Sequence, residues 1–210
     1  MGFRWALALA MACLGGCFPR SLPHAPAHES LFLRDAQTVR ADRVASADGE
    51  LILAGSAVEV TIKPVRRGDE LEITLLAHDR ALERERYRTN AHGFALMEAA
   101  GERYDPALPL LRFPMQVPER WDWSGTVVTG GRRQSAKARV ATELETLNIP
   151  GGPYRTVRID VTLTVTSGTT PVERALRWWI APGQGIVRRE FGTGSARGPR
   201  PPTNPIGKTP

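Results

Sequence analysis

Apolar residues recur at every second position along much of this chain. The clearest run is Val157, Ile159, Val161, Leu163 and Val165, interleaved with Arg158, Asp160, Thr162 and Thr164. A period of two gives a strand one apolar and one polar face, which suits an antiparallel sheet wetted on one side. Val58, Val60 and Ile62 repeat the pattern, as do Leu71, Ile73 and Leu75. Arg67-Gly68-Asp69 between them predicts a hairpin turn. Residues 82–89 and 94–98, joined by Asn90-Ala91-His92-Gly93, predict a second hairpin. Residues 123–129 and 135–149, joined through Gly130-Gly131, predict a third. In the longer strand the apolar phase shifts between Val140, Leu144 and Leu147, which predicts a bulge. Pro150-Gly151-Gly152-Pro153 predicts a firm break, and strands at 172–180 and 186–191 follow Gly-containing turns.

Residues 77–86 have helical composition but lie between strand signals, and are assigned to strand or turn. Residues 106–118 hold four prolines, each lacking the amide that a sheet ladder needs. They predict an ordered connection across one end of the sheet, pinned by Leu110, Leu111, Phe113 and Met115. The fold class expected is mainly β: a single domain with a curved antiparallel sheet, open or half barrel, and little helix. A sandwich is the alternative.

The ends of the chain read differently. Residues 193–210 carry Pro199, Pro201, Pro202, Pro205 and Pro210 among Gly, Ser, Thr and Arg, a composition with little to bury, expected to be disordered. At the other end Arg4 precedes an apolar or small-residue run from Trp5 to Gly16, then Cys17. That run has the length of a signal-peptide core and is too short to span a bilayer. Leu14-Gly15-Gly16-Cys17 resembles the lipobox of bacterial lipoproteins. The resemblance implies cleavage before Cys17 and acylation of its thiol and its new amine, and Phe18 in place of Asp implies the outer membrane. The organisation expected is therefore a signal peptide (1–16), a lipidated Cys with a Pro-containing tether (17–30), a β domain (31–192) and the tail (193–210).

Composition adds limits. The net charge is +6, but the charges are scattered, as in Glu83-Arg84-Glu85-Arg86, which reads as a solvated face. No nucleic-acid motif appears. The two cysteines are Cys13, inside the signal, and Cys17, so the mature domain is expected to have no disulfide.

Four further segments carry a second resemblance: Leu111-Arg112-Phe113-Pro114-Met115; Trp121-Asp122-Trp123-Ser124-Gly125-Thr126; residues 149–157 around Gly151, Gly152 and Tyr154; and residues 178–190, from Trp178-Trp179 through Pro182-Gly183-Gln184-Gly185. Together they are similar to a loose group of bacterial secreted proteins and lipoproteins carrying a domain of unknown function, with a strongly bent antiparallel sheet. A more remote similarity is to half-barrel carriers of the LolA and LolB type. The resemblance implies a fold rather than a reaction.

Candidate chemistry is sparse. Trp121, Trp123, Tyr154, Trp178, Trp179 and Phe113 are either core or the lining of a cleft for an apolar ligand. Adjacent Trp178 and Trp179 must face opposite sides of their strand, whereas Trp121 and Trp123 share one. His78 and His92 sit at turns without metal-ligand spacing. Ser124 lacks a nucleophile-elbow context. Glu143 and Glu145 share a strand face that reads as solvated. The function expected is non-catalytic, with no cofactor and no metal: a lipid-anchored envelope lipoprotein facing the periplasm that binds a hydrophobic ligand or an envelope protein. A structural subunit without a small ligand is the alternative, and a hydrolase a remote one.

Overall fold

The computed structural model describes residues 30–46, 48–53, 56–149 and 152–192, with side chains omitted at 50–57 and 192. The predicted signal peptide, the tether up to residue 29 and the C-terminal tail lie outside these residues.

The described residues begin with β1 (Leu31–Leu33) and a single helical turn, α1 (Ala36–Val39). Next come β2 (Asp48–Leu53), β3 (Ser56–Arg67), β4 (Glu70–Ala77), β5 (Arg80–Asn90), β6 (Gly93–Ala99) and β7 (Glu102–Arg112). A short β8 (Met115–Val117) precedes β9 (Glu119–Thr129), β10 (Arg132–Ile149), β11 (Gly152–Ser167), β12 (Thr170–Ala181) and β13 (Gly185–Gly192). Eleven strands form one antiparallel sheet in the order β13-β12-β11-β10-β9-β7-β6-β5-β4-β3-β2. β8 leaves this sequence and pairs with β1 in a two-stranded sheet of its own. Among the described residues the fold is therefore mainly β, a curled half barrel with almost no helix.

Alternation decides which residues line the curl. On β11 the inward set is Val157, Ile159, Val161, Leu163 and Val165, all buried. Their register partners Ile180, Trp178 and Leu176 on β12 are buried as well. The large buried side chains Tyr87, Phe94, Leu96, Leu108 and Leu111 come from β5, β6 and β7. Side chains from sequence-distant strands thus fill one interior.

Two expectations need correction. Residues 106–118 are not a connection outside the sheet but belong largely to β7 and β8. The prolines are tolerated because the ladder is one-sided there: β7 pairs with β9 only over Glu102–Asp105, while Leu108, Pro109, Leu111 and Arg112 pair with β6. The second correction concerns β10. It keeps an unbroken register with both β9 and β11, without the expected bulge. Its apolar phase shifts because its far end is covered on both sides: Ala136, Ala138 and Val140 are buried inward, and Leu147, of opposite parity, is buried on the outer face. The bulges lie elsewhere, among them Leu75/Leu76 and Trp179/Ile180.

The segment around α1 closes one end of the curl. Asp35 caps the turn, its carboxylate accepting from the Thr38 amide at 2.7 Å. Val39 and Ala41 are fully buried. The chain then bridges to β13: the Ile186 amide donates to the Arg43 carbonyl at 2.9 Å, and the Ala45 amide to the Ile186 carbonyl at 2.9 Å. Gly185 makes this possible, since a Cβ there would lie 2.3 Å from the Arg43 carbonyl oxygen.

Candidate functional site

The six aromatic candidates do not form one cleft. Trp121, Trp123 and Trp178 project into the curl, where each is at least nine-tenths buried, and Phe113 is buried too. Trp179 and Tyr154 lie on the outer face by alternation.

Inside, Trp178 anchors a polar chain. Its indole N–H donates to the Tyr87 hydroxyl at 3.1 Å, and that hydroxyl donates to Glu85 Oε2 at 2.7 Å. Glu85 Oε1 accepts from Arg189 Nε at 2.5 Å. The last contact spans 104 residues and joins β5 to β13 across the interior. Burial pushes the Glu85 carboxyl upward, opposed by the Arg189 charge. Burial, reinforced by the Glu85 charge, pushes the Tyr87 hydroxyl well up. Tyr87 also stacks on Phe94, with ring centroids 5.0 Å apart. A second crossing lies nearer the β6–β7 turn, where Glu102 of β7 is bonded by Arg174 of β12. Tyr104 and Thr129 donate to the same carboxylate, each at 3.4 Å. Charges buried this far from water persist only when paired and bonded, so both crossings are constraints on the curl.

Trp121 fills the place where β7 and β9 part. Its indole N–H donates to the Pro109 carbonyl at 3.2 Å, and the Arg112 guanidinium lies 5.0 Å from its ring centre. Trp123 meets Tyr104 edge-on, with centroids 6.3 Å apart.

The outer face carries the second assembly. Trp179 is buried because arginines cover it: Arg188 and Arg177 lie 4.9 and 5.6 Å from its ring centre. Its N–H donates to Glu145 at 3.2 Å. Arg158 binds Glu143, Glu145 and Asp160, and Arg177 bonds Asp160 and Glu190. Glu143 and Glu145 are therefore neutralised members of an ion-pair lattice rather than a free carboxylate pair. Trp179, the side chain that had to leave the core, is roofed by this lattice.

His78 and His92 are exposed at the two ends of β5. Eleven residues of strand put them about 35 Å apart, too far to share a site. Among the described residues no group of three or more His, Cys, Asp or Glu is placed to hold a metal. Two shallow cavities of about 300 and 410 Å³ lie on the outer face. Charged Arg67, Glu70, Glu72, Arg84, Arg86 and Glu98 line the first together with Val65; Ser124, Lys137, Arg139, Thr162 and Glu173 are among those lining the second.

Sequence reading missed Glu85, Arg189, Glu102 and Arg174. A signal existed for two of them. Alternation puts Glu85 on the face of buried Tyr87, and it forces adjacent Arg188 and Arg189 to opposite faces. The partners could not be read, because they come together only when the sheet curls.

No protein-family model matches the chain, and no curated protein does. A solved structure from Bacteroides fragilis NCTC 9343, a "putative exported protein with YmcC-like fold", is similar at a TM-score of 0.36. Identity is 16%, over 66% of this chain and 82% of that one.

Proposed function

We propose that this chain is a lipid-anchored cell-envelope lipoprotein whose β domain is a non-catalytic binding module for an envelope protein partner. The Leu14-Gly15-Gly16-Cys17 run supports the anchor. The observation that favours a protein partner over an apolar ligand is the filled interior. Trp178, Tyr87, Phe94, Leu96, Leu108 and Ile159 are fully buried in one core, and the two shallow cavities described above open on the outer face. An acyl chain needs an apolar trough, and here the protein's own side chains occupy that volume. Nothing in this reading requires a cofactor.

Palmitate labelling and membrane fractionation of the full chain in a Gram-negative host test the anchor. The wild type is expected to take label and sediment with the outer membrane, and Cys17→Ala to lose the label. An unlabelled wild type would overturn the anchor. Native mass spectrometry of the purified domain tests the occupant. A lipid retained one-to-one would replace the partner reading with a carrier; in-cell crosslinking to a discrete envelope protein would support it.

A further inference from the structure

We propose that the outward face of the β1–β8 sheet is a membrane-contact surface, in which the Phe32 ring enters the interface of an anionic phospholipid bilayer and Arg34 meets its headgroups. This rests on the lipid-anchor reading and adds an orientation to it. Phe32 is 64% exposed, more than Val65, Leu82 and Val172, the other exposed large hydrophobics among the described residues. Its outward direction is imposed by its neighbours. Leu31 and Leu33 pair with Val117 and Met115, and Leu33, Met115 and Val117 are buried. Strand alternation then holds the Phe32 ring out, opposite exposed Gln116.

A single exposed apolar residue is ordinary on a protein surface. Position along the chain distinguishes this one. Phe32 lies fifteen positions after Cys17, so even a fully extended link reaches only about 50 Å. The link enters the described residues at β1, so the β1–β8 sheet is the first part of the domain met along the chain from the anchor. Exposed cations flank the two paired strands: Arg34, 83% exposed, follows β1, and exposed Arg112 and Arg120 lie on either side of β8. The neighbouring acid, Asp35, divides its carboxylate between the Thr38 amide and a loose 4.0 Å contact with Arg34, whose side chain stays largely in water. An apolar ring beside cations is the chemistry that seats a protein at the headgroup–acyl boundary.

Leu82 supplies an internal control. It lies at the start of β5, and β5, β6 and β7 run antiparallel in turn, so it sits at the end of the sheet away from β8. The test uses the lipidated full chain in vesicles of phosphatidylethanolamine and phosphatidylglycerol containing a doxyl-labelled lipid quencher. Gln116→Cys and Leu82→Cys chains each carry a thiol-linked fluorophore. The Gln116 side chain bonds the Ser30 hydroxyl, and its pairing with Phe32 is through the backbone, so its replacement spares the sheet. Quenching at 116 is expected to exceed that at 82 several-fold, and Phe32→Ser in the Gln116→Cys chain should bring it down to the level at 82. Equal quenching at both sites in chains that float with the vesicles would overturn the membrane contact while leaving the anchor intact. Chains that do not float would remove the anchor, and the contact with it.

Discussion

Tyr87 holds the centre of the interior by serving two neighbours at once. Its hydroxyl accepts from Trp178 and donates to Glu85. Tyr87→Phe keeps the ring stack on Phe94 but leaves the Trp178 N–H and one Glu85 oxygen short of a partner. A loss of about 1–3 kcal/mol is expected, measured by urea unfolding. Glu85→Ala removes one member of a buried ion pair and strands the Arg189 charge, so about 3–5 kcal/mol should be lost. Replacing both, as Glu85→Leu with Arg189→Met, should restore most of that, because the two desolvation costs vanish together. The pair also has a signature in pH. Burial raises the Glu85 carboxyl above its ordinary 4.5, so the folded state holds that proton more tightly than the unfolded chain does. Its contribution to stability is then greatest below 4.5 and declines as pH rises through the raised value. Glu85→Gln should lack this decline, so urea midpoints of the two proteins followed from about pH 4 to about pH 8 should diverge with that sign. Half-buried Glu70 behaves oppositely: its bond from Arg86 lowers its carboxyl, and the stability it adds above 4.5 fades as pH falls through the lowered value.

At the scale of elements, the junction of β7 and β9 is tightly constrained. A Cβ at Gly125 would lie 2.5 Å from the Trp123 ring and 2.7 Å from the Asp105 carbonyl oxygen. Gly125→Ala should therefore push β7 from β9, costing about 1–3 kcal/mol. Faster amide exchange along Glu102–Asp105, with β10–β11 exchange unchanged, would mark the damage as local. Strands with strict alternation, such as β4 and β11, were legible because each buries one face against the interior and wets the other. β7 was not, because prolines count against a strand only where both edges are paired, and pairing is a tertiary fact. The end of β10 misled for a related reason: burial of Leu147 on the outer face mimics in sequence the phase change of a bulge.

At the scale of the whole molecule, the curl joins its distant parts into one unit. Glu85–Arg189 and Glu102–Arg174 tie β5 and β7 to β13 and β12, and the Arg43–Ala45 segment ties the stretch before β2 to Ile186. Heat or urea should therefore unfold the domain in one step, with tryptophan fluorescence and far-ultraviolet circular dichroism tracing coincident curves. Separate transitions would mean that the two halves of the sheet melt independently. The sequence alone determined the β class, most strand positions and the hairpin order, because these rest on local alternation and turn chemistry. It also required Trp178 and Trp179 to part company, since neighbours on a strand cannot share a face. Only the tertiary structure decided what became of them: Trp178 joined a buried polar chain through Tyr87, and Trp179 was roofed by Arg177 and Arg188. The reason is physical. Alternation assigns a face to each residue, but whether that face meets water, an arginine or a carboxylate 104 positions away depends on how far the sheet curls.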